Sequence, residues 1–370
     1  MVKRQEATNI EATPALVIDL PTVEKNAERL AAYAREHRLG VRPHTKTHKS
    51  FRMAALQVAV GAIGLTAAKV GEAEVMAEVA SDVLVAYPAV DRHRCRRIAE
   101  LARLGTTVRV ALDSTEGIDA VHAAAREAGT TVGILIDLDV GFHRTGVQSP
   151  AASLELAQHV ARNRDGVRLD GLFFYPGHVW SPAGEQSVEL ERIDAVLAET
   201  VELWRASGFE AAIVSGGSTP TAFQSHFIRT QTEIRPGTYI YNDMNTARAE
   251  FCSLDDCAAT LVCTVVSTAV PGKAVIDAGT KTLTSDRNAL FPDSGHGHVV
   301  EHPEAKIVRL SEEHGELDVT ACEKPPRVGD RVTVIPNHIC PCVNLQDRAW
   351  LRHADGTLES TSIDARGRLS

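Results

Sequence analysis

Eight consecutive residues, Arg42-Pro43-His44-Thr45-Lys46-Thr47-His48-Lys49, bring together two lysines, two histidines and an arginine. Neighbouring cations disfavour one another's charge, so a lysine among them is held more readily as the neutral, nucleophilic amine. Such an amine can condense with an aldehyde to a Schiff base. Surface lysines are common, and taken alone the run reads more simply as a solvated basic loop. Two later segments, Ser215-Gly216-Gly217-Ser218-Thr219-Pro220 and Arg235-Pro236-Gly237-Thr238-Tyr239, combine glycines with hydroxyl groups. Glycine lets backbone N–H groups approach an anion closely and hydroxyls add donors, although either segment by itself also makes a plain turn. A third constellation is His338-Ile339-Cys340. On an extended segment alternate side chains share a face, so imidazole and thiol can reach one ion, and the pair suits zinc. Two protein ligands leave positions for water and substrate, the pattern of catalytic zinc. The plainer alternative is a buried packing cysteine. Cys342 projects the same way on an extended segment and is read as a bystander rather than a third ligand. Asp347 and His314 are further polar candidates in the same region.

These residues need a frame. Amphipathic stretches at helical spacing run over 21–38, 71–80, 92–103, 116–128, 151–162 and 186–206. Between them lie eight short β-branched runs, at 41–43, 62–66, 83–87, 107–112, 132–139, 169–175, 211–215 and 233–235. Strands alternating with helices imply βα units and a parallel sheet, and eight units fit a (β/α)₈ TIM-type barrel. A doubly wound open sheet explains the alternation equally well but usually has fewer strands. In a barrel the active site lies at the C-terminal strand ends, and phosphate is often held after strands seven and eight. The two glycine segments follow those two runs and the lysine segment follows the first. A phosphate opposite a lysine on the first strand suggests pyridoxal phosphate. From Phe251 onward, short runs separated by Pro-Gly, His-Gly and Asp-Gly turns indicate a second, all-β domain with no good helix. The expected division is a barrel over 21–250 and a β domain over 251–370. Residues 15–19 are not needed for eight strands, so 1–20 is assigned to the β domain.

The 370 residues are ample for a large core, with 44% hydrophobic and 24% charged residues. A formal net charge of -9 gives a nucleic-acid role no electrostatic support. No apolar run approaches a membrane span, and the polar start, Met1 to Ala12, lacks a signal-like apolar region, so the expected location is the cytoplasm. Seven cysteines, an odd number, argue against a disulfide framework.

The lysine segment resembles the cofactor-lysine motif of the D-threonine aldolase and D-serine dehydratase family, pyridoxal-phosphate enzymes related to the bacterial alanine racemases. The resemblance spans nearly the whole chain. It runs from Thr13-Pro14-Ala15-Leu16-Val17-Ile18-Asp19-Leu20 through Asp139-Val140-Gly141, Arg144-Thr145-Gly146-Val147 and Ser215-Gly216-Gly217-Ser218-Thr219, then Asp277-Ala278-Gly279, to Pro336-Asn337-His338-Ile339-Cys340-Pro341. It implies that Lys46 carries the cofactor and that Gly216, Gly217, Ser218 and Thr219 hold its phosphate, with Gly237, Thr238 and Tyr239 contributing. It implies further that Arg144 and Tyr175 lie near the cofactor and that His338 and Cys340 bind a divalent metal, zinc or manganese. Tyr175 as a plain core aromatic is an equal alternative, and Pro176 beside it stands at a variable position of the family. Aldolases of the family carry His-x-Asp and dehydratases His-x-Cys, so Cys340 favours elimination from a D-3-hydroxy amino acid such as D-serine or D-threo-3-hydroxyaspartate. Retro-aldol cleavage to glycine and an aldehyde is the alternative. The family also implies a homodimer. Three rivals stand beside this reading. An amino-acid racemase would need no metal, a cofactor carrier would need no β domain, and a metal-dependent barrel hydrolase would place carboxylates where the first strand here ends in basic residues.

Overall fold

A computed structural model of the protein describes residues 10–370. Residues 1–9, most of the polar start read above as lacking a signal region, lie outside the described residues. The chain forms two compact units. One takes the chain up to Ala27 together with Thr238–Arg366; the other takes Glu28–Gly237 with Gly367–Ser370. The chain leaves the second unit at Gly237, before the change of texture at Phe251, because residues 238–250 contain only helical turns and give no strand signal.

In chain order the first elements are β1 (Ala15–Asp19) and α1 (Leu20–Glu36), whose Val23, Ala27 and Leu30 are buried at helical spacing. The second unit is then a parallel barrel of β2 (Gly40–Val41), β3 (Leu65–Ala67), β4 (Asp82–Val85), β5 (Thr107–Leu112), β6 (Val132–Asp137), β7 (Val167–Phe173), β8 (Ile213–Gly216) and β9 (Glu233–Ile234). The sheet runs β2-β9-β8-β7-β6-β5-β4-β3, and a parallel bridge between His44 and Thr66 closes it. Its helices are α2 (Phe51–Ala59), α3 (Val70–Met76), α4 (Arg92–Arg103), α5 (Thr115–Ala128), α6 (Pro150–Arg162) and α7 (Ser187–Ala206). Asp91, Ser114 and Ser149 cap α4, α5 and α6 by accepting backbone N–H bonds. Leu84, Ala111, Leu135 and Phe173, from four consecutive strands, form a separate buried cluster, part of the packed centre that the fold requires. A larger apolar cluster, including Ile98, Val121, Leu156 and the buried Trp204, joins helices to the outside of the strands. The (β/α)₈ expectation holds, and the open-sheet alternative falls with the closing bridge.

The first unit is built on antiparallel pairing. Its further elements are α8 (Met244–Arg248), β10 (Ala259–Ser267), β11 (Lys273–Ile276), α9 (Thr280–Leu283), β12 (His298–Val299), β13 (Lys306–Leu310), β14 (Gly315–Asp318), β15 (Arg331–Ile335), α10 (Ile339–Asn344), β16 (Arg348–Arg352) and β17 (Leu358–Ser362). β1 pairs antiparallel with β10 and parallel with β16, so residues 15–19 do join the β domain. The expectation of no helix there needs correction. His338 occupies the N-cap position of α10 without a side-chain cap bond, and Cys340 and Cys342 lie within the helix. Pro341 falls in the first turn, where its missing N–H costs no helical bond.

Candidate active site

The ladder around β9 explains why the distant motifs of the barrel unit meet. β9 pairs with β2 on one side and β8 on the other. The pairing continues past the strand ends, with Arg42 N–H donating to Ile234 O at 2.9 Å, His44 N–H to Pro236 O at 3.0 Å, and Arg235 N–H to Gly216 O at 2.8 Å. The lysine segment and both glycine segments therefore emerge side by side at the C-terminal end of three adjacent strands. Gly237 is tightly placed, since a Cβ there would lie 3.0 Å from both His44 O and Thr47 Oγ1.

The structure distinguishes the two lysines. Lys49 is buried and forms an ion pair with buried Glu72. Lys46 sits on a 3-10 turn, Thr45–Thr47, with its side chain exposed, and its amine has no hydrogen-bond or ion-pair partner among the described residues. Arg42 also proves structural, bonded to Glu233 at 2.9 Å and Asp82 at 2.5 Å. His48 is buried against Gln57 at 3.1 Å. His44 accepts the Lys46 N–H at 3.5 Å. Burial first, and then the charges of Lys46, Arg235, His48 and Lys49, push its imidazole well below the ordinary range. His44 is therefore neutral near pH 7.

The Gly216–Thr219 turn has the features of an anion cradle. Gly217 adopts a left-handed φ of +89°, and neither its N–H nor that of Gly237 has a partner among the described residues. Gly216 cannot be larger, because a Cβ would fall 2.0 Å from the Phe174 ring. Ser218 is buried and its Oγ lies 3.0 Å from Thr221 Oγ1, which fixes the turn. Thr238 Oγ1 contacts Cys340 Sγ at 3.5 Å, and Tyr239 is buried.

Arg144 and Tyr175 are brought together. The Arg144 guanidinium lies 5.0 Å from the ring centres of both Tyr175 and Phe142, and those rings meet edge-on at 5.2 Å. Gly177 makes room for Tyr175, since a Cβ there would lie 2.2 Å from its ring. Two charged residues escaped the sequence reading. Arg235 was quoted within a glycine segment but not singled out. It is buried, donates to Ser215 Oγ at 2.7 Å and Phe174 O at 2.8 Å, and lies 3.7 Å over the Phe173 ring; burial lowers it to about 10 despite Glu233 and Asp137. Asp137 ends β6, accepts from Thr145 Oγ1 at 2.8 Å, and is raised to about 6 by burial. Asp137 is a charge closing a strand that otherwise reads as apolar, and that contrast was the available signal for it; Arg235 follows the charged Glu233 just past β9 and carried no such contrast.

In the other unit, Cys340 neighbours His338 closely enough to favour the charged imidazole. Asp286 Oδ2 lies 3.3 Å from His338 Nδ1. Buried Asp243 accepts Ile339 N–H at 3.1 Å and so fixes the start of the helix. Burial opposes charge on His338, but Cys340, Asp243 and Asp286 outweigh it and hold the imidazolium up to about 9. The pair thus meets through a capped helix turn, not the extended geometry expected. The same turn removes the argument that Cys342 shares a face with Cys340. Cys342 is buried and donates to Leu283 O and His338 O at 3.4 and 3.3 Å. Asp347 instead pairs with Arg366, and His314 is exposed on the β13–β14 turn. Among the described residues no three His, Cys, Asp or Glu side chains form a ready metal cluster. The donor chemistry, imidazole and thiol in contact with a carboxylate behind the imidazole, nevertheless fits a divalent ion with open positions.

A parallel barrel with a free lysine, unpaired glycine N–H donors and buried arginines at its strand ends, joined to an antiparallel domain, is the alanine-racemase type of architecture. Residues 18–245 match the family model described as alanine racemase, N-terminal domain, and residues 258–351 match that of a putative serine dehydratase domain. The chain is 31% identical to D-threo-3-hydroxyaspartate dehydratase of Delftia sp., over 89% of this chain and 90% of that protein. The crystal structure of D-threonine aldolase from Filomicrobium marinum superposes with a TM-score of 0.89 at 32% identity, covering 97% of each chain. A variant of D-threo-3-hydroxyaspartate dehydratase, solved in a metal-free form, superposes with a TM-score of 0.87 at 29% identity, covering 96% of this chain and 98% of that one. The chain belongs to this alanine-racemase-like family of lyases.

Proposed function

We propose that the protein is a pyridoxal-phosphate- and metal-dependent lyase that eliminates water from a D-3-hydroxy amino acid, whose enamine product takes up water again to give an oxo acid and ammonia, of the D-serine or D-threo-3-hydroxyaspartate dehydratase type. The observation that carries the cofactor half is the exposed Lys46 amine, unpartnered among the described residues, beside two glycine turns whose N–H donors are likewise unused among the described residues. The observation that favours dehydration is the thiol of Cys340 paired with His338. Bound pyridoxal phosphate would supply an electron sink for the pair released at Cα, and a bound divalent ion a Lewis acid for the β-hydroxyl.

This chain's residues do the rest. Lys46 Nζ would hold the cofactor covalently, and its free amine would be the base that takes the Cα proton. Neutral His44 beside it adds no positive charge. Gly216, Gly217, Ser218 and Thr219 offer the phosphate N–H and hydroxyl donors, with Gly237 adding one more. Arg144 and Tyr175 form a cationic, aromatic pair suited to a planar anionic ring. His338 and Cys340 hold zinc, or manganese in its place, and Asp286 orients the imidazole. Thr238 touches that second site through Cys340, and Tyr239 remains a candidate for the phosphate side. We propose that both constellations serve one reaction, in a cytoplasmic homodimer; sedimentation gives the oligomeric state, and a monomer at working concentration would contradict that part. Among the described residues no helix is long and apolar enough to cross a membrane.

The same residues permit retro-aldol cleavage, favoured by the likeness to the aldolase structure. Incubation with D-serine, D-threonine and D-3-hydroxyaspartate separates the two. Ammonia and an oxo acid support dehydration; glycine and an aldehyde without ammonia would establish the aldolase instead. Conversion of a D-amino acid to its L-form without other products would make it a racemase.

A further inference from the structure

The β-domain unit holds a second pair of sulfur atoms that the proposed reaction does not use. Cys252 and Cys257 flank the 3-10 turn Leu254–Asp256. Cys257 Sγ donates to Ser253 O at 3.9 Å, and the neighbouring Cys257 side chain is the leading reason the Cys252 thiol is held below its ordinary range. Burial instead pushes up the thiols of Cys95, Cys263, Cys322 and Cys342. Cys252 is half-buried, within reach of a small oxidant, while Cys257 is buried. Both pack in one cluster with Met244, Ala247 and Ile335.

This cluster leads to the His338–Cys340 turn through a continuous set of hydrogen bonds. Cys252 Sγ donates to Thr246 Oγ1 at 3.5 Å. Thr246 and Asp243 form a reciprocal cap on α8, with Asp243 N–H donating to Thr246 Oγ1 at 2.9 Å and Thr246 N–H to Asp243 Oδ1 at 3.1 Å. The other oxygen of Asp243 accepts the Ile339 N–H that begins α10. The next two N–H groups of α8, from Met244 and Asn245, donate to Pro336 O and Asn337 O at 3.0 and 3.1 Å.

We propose that Cys252 and Cys257 are an oxidisable dithiol whose disulfide loosens the His338–Cys340 site. The oxidant is hydrogen peroxide. The Cys252 thiolate attacks one peroxide oxygen, an S–O bond forms and the O–O bond breaks, and the released oxide leaves as water after taking a proton. Cys257 sulfur then attacks the sulfenic sulfur, the S–S bond forms and the S–O bond breaks, and hydroxide leaves with the Cys257 proton as a second water. Two thiols lose two electrons and the peroxide gains them. Once bridged, Cys252 has no proton for Thr246, and its sulfur is drawn toward Cys257. The cap that positions Asp243, and through it the helix bearing Cys340, loses a support. A thiol reductant reverses the step.

The dithiol stands on its own geometry, whereas its consequence for a metal rests on the reading of His338 and Cys340 given above. The test uses the full chain. Hydrogen peroxide treatment, alkylation of remaining thiols and peptide mass analysis should reveal one bridge joining Cys252 to Cys257, lighter by two hydrogens and lost with dithiothreitol. Bridging of Cys252 to another cysteine, or both thiols still open to alkylation on denaturation, overturns the proposal. Zinc affinity, read by competition with a chromophoric chelator, should weaken about tenfold or more on bridging. A Cys252→Ser/Cys257→Ser double variant should not lose that affinity, and an equal loss in it overturns the link to the metal site. If the reduced protein binds no zinc, the metal reading fails while the bridge result stands.

Discussion

Two lysines three residues apart should behave in opposite ways when removed. Lys49 and Glu72 are an ion pair with side chains 4% and 2% exposed, so Lys49→Met strands a carboxylate without water or counter-ion. Removing one partner of a buried pair costs about 3–5 kcal/mol. For a unit the size of the barrel each kcal/mol moves the melting temperature by about 2–4 °C, so Lys49→Met should melt roughly 6–20 °C lower. Lys46 is exposed and, among the described residues, unpaired, so Lys46→Ala should stay within about 0.5 kcal/mol of the parent. Its defect is chemical: with pyridoxal phosphate added, the variant should lack the visible band of the lysine-bound cofactor. Thermal unfolding without cofactor and an absorbance spectrum with it read both effects. A Lys49→Met/Glu72→Leu double variant should regain part of the loss, because the stranded charge is gone. The reasoning fails if Lys46→Ala melts as low as Lys49→Met, or if Lys49→Met leaves stability untouched.

Other expectations follow from the same geometry. Asp286→Asn should weaken zinc binding about 10–100-fold by freeing the His338 imidazole, and unchanged affinity by chelator competition would remove Asp286 from the site. Asp137 has a folded value of about 6 against 3.8 when unfolded, so the folded state keeps its proton longer as pH rises. Its contribution is therefore full below pH 3.8 and lost on passing through about 6. The stability of Asp137→Asn relative to the parent should climb across that window by up to about 3 kcal/mol; denaturant midpoints at several pH values check it, and a flat difference contradicts it. Gly216→Ala should cost about 1–3 kcal/mol, since its Cβ would overlap the Phe174 ring, and an unchanged denaturation midpoint would show the ring is free to move.

Much of this arrangement was legible in the residues. Alternation of β-branched runs with amphipathic helices located all eight barrel strands, because burial on both faces leaves a strong apolar signal. α4 begins and ends where its pattern does, at Arg92 and Arg103. α2 went unread because it follows Lys49 and Ser50 with no side-chain cap. α10 was hidden by its six-residue length and by Pro341, and reading it as extended misdirected Cys342. What sequence could not give was partnership. Nothing local says that Lys49 meets Glu72 while Lys46 has no partner among the described residues, that Asp286 stands behind His338, or that the Thr238 hydroxyl turns to Cys340. These are contacts across long stretches of chain, set by register and packing.

The central claim is that Lys46, and not its neighbour, carries the cofactor. Reduction of the cofactor-loaded protein with borohydride makes that bond permanent, and peptide mass analysis then locates the pyridoxyl group. The account expects it on Lys46 alone, absent from the Lys46→Ala variant. A label on Lys49 or on a lysine outside the 45–47 turn would contradict it.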